Sequence, residues 1–226
     1  MTKAQYEVEI KTLLGSEEVA EAFRAKLIEN GSATVKQTAY TQLNHYFKDG
    51  NPQKLAEILA QKLDGGDAEQ LHTIAAGQNI SVRTREMDGQ AYIVMKASIG
   101  SDSSQNGVMR AEIEAPVPGL TLDALDAEVL SAGYEYQAKW SRTREEYALG
   151  PVTVCLDRNA GYGYLAEFEL VIEDSSAAEE TKSELLSVMG EMGLAELAQD
   201  RLERMFAYYN EHWPEYYGTD RIFTIQ

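Results

Sequence analysis

Residues 7 to 11 read Glu-Val-Glu-Ile-Lys, a run that could set two carboxylates and an ammonium side by side. Side chains alternate with a period of two along a strand, so Glu7, Glu9 and Lys11 share one face while Tyr6, Val8 and Ile10 share the other. Ionised groups in a row repel one another unless water solvates them or a ligand binds between them. A single strand of this kind is also what a solvated face looks like. The pattern recurs, however. Arg83 with Arg85, Arg110 with Glu112 and Glu114, Arg142 with Arg144, and Glu167 with Glu169 all carry charge at alternate positions. Five such segments predict a sheet with one charged face, and closing that sheet into a barrel would turn the face inward.

The 226 residues are read most simply as one large domain with a sizeable core. Hydrophobic content of 44% and charged content of 25% are ordinary for a soluble globular chain. A formal net charge of −17 argues against nucleic acid, since a phosphate backbone needs a basic footprint. It suits divalent cations, although solvated surface accounts for most of the 37 acids. Cys155 stands alone, which excludes a disulfide framework and a cysteine metal site and points to a reducing compartment. No apolar run resembles a signal peptide or reaches a membrane-spanning length. The expectation is a cytoplasmic protein with no membrane partner.

The elements that must position the charges follow in chain order. Ser16 is a candidate cap for a helix with Val19, Phe23 and Leu27 on one face, ahead of a strand over residues 33–47 in which Gln42, Asn44 and Tyr46 alternate. Asn51-Pro52 opens a helix closed by Gly65-Gly66, and Asp67 caps a shorter one, so residues 48–78 read as a helical insertion. Strands at 80–86 and 91–97 meet in a hairpin at Asp88-Gly89. Ser98 to Gly107 reads as a loop, and residues 108–115 as another charged strand. Thr121 caps a helix with Leu122, Leu125 and Val129 inward, followed by strands at 134–140, 142–149, 152–157 and 164–173. A helix from Ser175 or Ser176 ends at Gly193, helix resumes to about His212, and an aromatic tail closes the chain.

Taken together, these segments resemble the CYTH family, the triphosphate tunnel metalloenzymes. Glu7-Val8-Glu9-Ile10-Lys11 matches that family's E-x-E-x-K signature. Arg83-Thr84-Arg85 is similar to its paired arginines, and Lys96 to the lysine of the next strand. Arg110-Ala111-Glu112-Ile113-Glu114 resembles its basic-then-acidic strand, and Arg142-Thr143-Arg144 with Tyr147 its K-x-R-x-x-Y element, here with arginine first. Asp157, Glu167 and Glu169 resemble the late metal-binding block. The likeness runs collinearly over about residues 5 to 175.

The resemblance implies an α+β fold, an antiparallel eight-stranded barrel forming a tunnel with helices outside. It assigns residues 1–198 to that domain and leaves 199–226 as a helical and aromatic tail packed on it. A polyanion with hard cations would satisfy so many buried charges. Lys11, Arg83, Arg85, Lys96, Arg110, Arg142 and Arg144 would grip phosphates as a basic wall. Glu7, Glu9, Glu112, Glu114, Asp157, Glu167 and Glu169 would hold Mg²⁺ or Mn²⁺ as a carboxylate wall. Glu7, Glu9, Lys11, Glu167 and Glu169 are the candidate catalytic set. The partner expected is a small-molecule triphosphate or polyphosphate, and the insertion or tail could serve as a lid or in the contacts of a homodimer.

Three functions fit: a metal-dependent triphosphate hydrolase, a class IV adenylyl cyclase, and a non-catalytic polyphosphate- or nucleotide-binding module. The cyclase branch carries a His-Phe pair starting six residues before its E-x-E-x-K motif, where this chain has Met1-Thr2, which favours hydrolysis. Seven carboxylates are more than anion binding alone needs. His45, His72 and His212 have no metal-ligand spacing and read as polar surface, edge or tail residues. Lys139 reads equally as site or surface, and Arg201 sits near a late basic position of the family without its serine-tyrosine companion.

Overall fold

The computed structural model describes residues 6–29, 33–98 and 110–225. Its elements are β1 (Tyr6–Gly15), α1 (Glu17–Glu29), β2 (Ala33–Lys48), α2 (Pro52–Leu59), α3 (Gly65–Ala75), β3 (Gln78–Met87) and β4 (Gln90–Ser98). There follow β5 (Arg110–Pro116), α4 (Leu122–Ser131), β6 (Glu135–Leu149), β7 (Val152–Asn159), β8 (Gly163–Ile172), α5 (Ala178–Glu191) and α6 (Gln199–His212). The strand order β1-β5-β4-β3-β2-β6-β7-β8, with β8 back on β1, is that of an eight-stranded barrel, and the chain is α+β as expected. The loop expected from Ser98 to Gly107 lies, after Ser98, outside the described residues. No helix among the described residues is long and apolar enough to cross a membrane.

The chain falls into two compact units whose boundaries lie within β2, after Thr41, and within β6, before Ser141. In the first, strands run β1-β8-β7-β6, all antiparallel. Val8, Ile10 and Leu14 of β1 are buried with Phe23 and Leu27 of α1 and Leu185 and Met189 of α5. The alternation that buries them leaves Glu7, Glu9 and Lys11 on the other face. Ser16 caps α1 through the Val19 N–H, but Val19 itself is exposed and Ala20 takes its place beside Phe23 and Leu27. Gly163 has φ 75°, and a Cβ there would lie 2.5 Å from the Gly15 carbonyl oxygen, so only glycine lets β1 and β8 meet at that end. The tail is part of this unit: Tyr162, Tyr209, Tyr216 and Phe223 meet ring to ring, and the Phe223 N–H donates to the Gly161 carbonyl at 2.8 Å.

Two strands were expected over residues 134–149, and the structure has one. Ser141 has no Gly or Pro beside it to break the strand, and its carbonyl accepts from the Ala160 N–H at 2.9 Å, so pairing runs through it.

The second unit orders its strands β2-β3-β4-β5, also antiparallel. The β3–β4 hairpin turns on Asp88 and Gly89, both at positive φ, as a tight two-residue turn requires. Asn51 caps α2 as expected, accepting from the Lys54 N–H at 2.9 Å. Gly65-Gly66, expected to close α2, instead open α3. The reason is Asp64, whose carboxylate caps α3 by accepting from the Asp67 N–H at 2.9 Å, making Asp67 the capped residue rather than the cap. Leu55, Leu59, Leu71 and Ile74 of α2 and α3 pack with Ile93, Met95 and Ile113 of the sheet, and Leu125 and Val129 of α4 complete this core.

Candidate active site

In the first unit, Glu9 and Glu169 are direct partners on β1 and β8, as are Lys11 and Glu167. Ligand oxygens of Glu7, Glu9 and Glu169 all lie within 4.8 Å of one another, and the three side chains are half-buried. Lys11 Nζ sits 2.9 Å from Glu9 and 3.1 Å from Glu167. Burial works against its charge, but Glu167 and Glu9 outweigh that and raise the Lys11 pKa, so it stays an ammonium. On β6, Arg144 donates through Nε and Nη2 to Asp157 at 2.7 Å each, and Nη2 also reaches Glu167. Arg142 reaches Asp157 at 2.9 Å.

These neighbours set the carboxylates apart. Burial alone would raise Glu167, yet Lys11, Arg144 and Arg142 hold it well below the ordinary range, so it is an anion. Glu169 is pushed up to about 8, by burial first and then by Glu167, with Glu7 and Glu9 adding to it against Arg144. Asp157 and Glu167 are thus engaged by bases, while Glu7, Glu9 and Glu169 converge.

In the second unit, Arg83 and Arg85 alternate with Val82 and Thr84 on β3, and their partners come from the adjacent β2 and from β5, one strand beyond β4. Arg85 donates to Asn44 at 2.8 Å and to both oxygens of Glu114 at 2.7 and 2.6 Å. Arg83 donates to the Tyr46 hydroxyl at 2.7 Å and lies 3.5 Å from Glu112. Lys96 reaches Glu112 at 2.6 Å. Arg110 opens β5, but its side chain lies outside the described residues. Of the named charges, the first unit carries five carboxylates against three bases, and the second is richer in bases. Within each, acids and bases are interleaved by pairing across strands rather than held apart as two walls.

Several residues escaped the sequence reading. Asn44 and Tyr46 hold the two arginines; their alternation was the available signal. Glu146 shares a face with Arg142 and Arg144, while Tyr147 lies on the opposite face, donating to Glu145 at 2.6 Å. His45 is not a surface or edge residue: it is buried, with Nδ1 2.7 Å from Asp126 of α4. Asp126 also accepts from Thr84 and Tyr136 at 2.6 Å each. Burial opposes its charge, but the bonds from His45, Thr84 and Tyr136 prevail and lower its pKa. Lys139 lies 3.9 Å from Asp126 and over the Tyr136 ring. His72 is exposed on α3, and His212 is half-buried against the Tyr208 carbonyl.

The model of the CYTH domain matches residues 72–201, more than half of the sequence, and the chain belongs to the CYTH family. Solved structures agree on the fold. A proposed adenylate cyclase of Vibrio parahaemolyticus is similar at a TM-score of 0.60 and 15% identity, over 91% of this chain and 99% of the other. The PH1819 protein of Pyrococcus horikoshii OT3 is similar at a TM-score of 0.59 and 18% identity, over 86% and 94%. The PH1012 protein of the same organism gives 0.56 and 19%, over 83% and 90%. No curated protein matches the sequence.

Three converging carboxylates are a hard-oxygen donor set, which fits a divalent cation such as Mg²⁺ or Mn²⁺. Glu7, Glu9 and Glu169 are the residues that could hold it.

Proposed function

We propose that this protein hydrolyses a phosphoanhydride bond of a triphosphate, inorganic tripolyphosphate or an organic triphosphate, with Mg²⁺ or Mn²⁺ on Glu7, Glu9 and Glu169. The observation that carries the reading is the approach of those three carboxylates to within 4.8 Å beside the Lys11 ammonium. Bound there, a divalent cation would neutralise phosphate charge and make water more acidic. The chain's own residues supply the rest. Lys11, Arg142 and Arg144 are oriented by Glu9, Glu167 and Asp157, so little reorganisation is needed when phosphate oxygens arrive. Nη1 of Arg144 lies 3.8 Å from Glu169, beyond hydrogen-bond distance, and keeps donors for substrate. Within the second unit, Arg83, Arg85 and Lys96, with Arg110 by its place in the sequence, are further candidate phosphate-binding bases.

Cyclisation of a nucleotide would use the same charges but a different nucleophile, with a ribose oxygen held in line with the α-phosphorus at about 3–3.5 Å. Met1-Thr2 stand where cyclases carry His-Phe, which favours water over a ribose oxygen as the nucleophile. Incubation with ATP and either cation, followed by separation of products, tests the choice. Orthophosphate with little cyclic AMP is expected; cyclic AMP and pyrophosphate as main products would overturn it.

A further inference from the structure

Along β6 the faces alternate. Glu145 and Tyr147 turn to α1, where Arg24 donates to Glu145 at 2.8 and 2.7 Å. Glu146 therefore turns with Arg142 and Arg144 to the charged face. Its partner there is Tyr40 of β2, a buried residue whose hydroxyl donates to the Glu146 carboxylate. Burial first, then that bond, raise the Tyr40 pKa against the pull of Arg144 and Arg142, so the phenol stays a donor.

The register places Glu146 within the site. It is the direct partner of Cys155, Cys155 of Glu167, and Glu167 of Lys11, one row across four strands. What sets Glu146 apart is its charge balance. Glu9, Asp157, Glu167 and Glu169 each have a Lys or Arg within 4.0 Å. Glu146 has a phenol, and no cation within that distance among the described residues. One hydrogen bond leaves most of a carboxylate's acceptor capacity unfilled. A metal ion is a poor complement: the neighbouring Cys155 is kept a thiol by burial, and the carboxylates that converge do not include Glu146. A further phosphate would meet a like charge. An N–H or O–H donor, or a cationic group, fits.

We propose that Glu146, held by Tyr40, is a specificity-determining residue that receives a hydrogen-bond-donating or cationic part of an organic triphosphate and disfavours inorganic tripolyphosphate. The inference rests on the triphosphate reading above and narrows its substrate class. Binding tests it independently of turnover. Dissociation constants for tripolyphosphate, methyl triphosphate and ATP, each with Mg²⁺, are measured by calorimetry on the parent, Glu146→Gln and Tyr40→Phe. In Glu146→Gln, tripolyphosphate should bind about tenfold tighter, ATP should bind more weakly, and methyl triphosphate, whose methyl group adds neither a further charge nor a donor, should change little. Tyr40→Phe should move the same way by less. Three ligands shifting in parallel, no shift at all, or a parent that binds none of them would overturn the proposal. Phosphate release from the same samples reports separately on hydrolysis, so absent turnover with an altered affinity ratio would sink the hydrolase reading and keep Glu146.

Discussion

Glu9 and Glu169 stand directly opposite each other across the β1–β8 ladder, with Glu7 on the same face. Like charges so placed destabilise a sheet. A cation removes that cost, and so does the loss of one charge. Glu9→Gln should therefore melt within about 1 kcal/mol of the parent in the absence of divalent cations. Its cation-dependent activity should fall by roughly 100-fold or more, since even outer partners of metal ligands cost 10–100-fold. Melting curves and phosphate release measured together check this; a folded Glu9→Gln variant with full activity would refute the ligand assignment.

Glu169 carries a pH signature. Its folded value of about 8 lies above the ordinary 4.5, so between the two the cation-free folded protein holds a proton that the unfolded chain has lost. Stability from this group is full below 4.5 and is lost as pH rises through about 8. A cation needs the ionised form. Apparent cation affinity should thus climb with pH up to about 8 and then level, with a proton released on binding below that. Calorimetry in buffers of different ionisation heat measures both; an affinity flat across this range would exclude the linkage.

The arginine pair of β3 should act on binding. Arg85 is gripped by Asn44 and Glu114, and Arg83 by Tyr46, which holds both side chains in place. Replacing either by alanine should weaken substrate binding by roughly 1.5–3 kcal/mol, seen as a raised KM with a smaller effect on kcat. A variant with unchanged KM and depressed kcat would assign the pair a different task.

Asp126 tests the support behind that pair. It accepts from His45 and Thr84, which sit between Asn44 and Tyr46 and between Arg83 and Arg85. Asp126→Ala would strand buried donors and should destabilise the fold by about 3–5 kcal/mol. Because the Asp126 value is depressed below 3.8, its contribution is full above that pH and is lost as pH falls below it. Acid unfolding of the parent should show this loss and that of the variant should not. Superimposable acid limbs would remove Asp126 from the account.

Much of this was legible because strand periodicity is a local property. Glu7, Glu9 and Lys11 separate from Val8 and Ile10 by alternation alone, and Asp88-Gly89 announces its hairpin by backbone chemistry. Which carboxylates converge was not legible, since that depends on the register between β1 and β8, residues some 160 apart in sequence. His45 misled for the same reason: the carboxylate that makes its burial tolerable comes from α4. At Gly65-Gly66 two local signals competed, and the Asp64 cap prevailed over glycine as a terminator. Glu146 was visible two residues after Arg144, but nothing in the sequence pairs it with Tyr40.

The central claim is that three converging carboxylates serve triphosphate hydrolysis through a divalent cation. The most direct measurement is orthophosphate released from tripolyphosphate and from ATP by chelator-treated protein, before and after adding Mg²⁺ or Mn²⁺. No release is expected without cation, with restoration on addition and no restoration in Glu9→Gln. Release that persists in chelator, or that Glu9→Gln recovers in full, would contradict the claim.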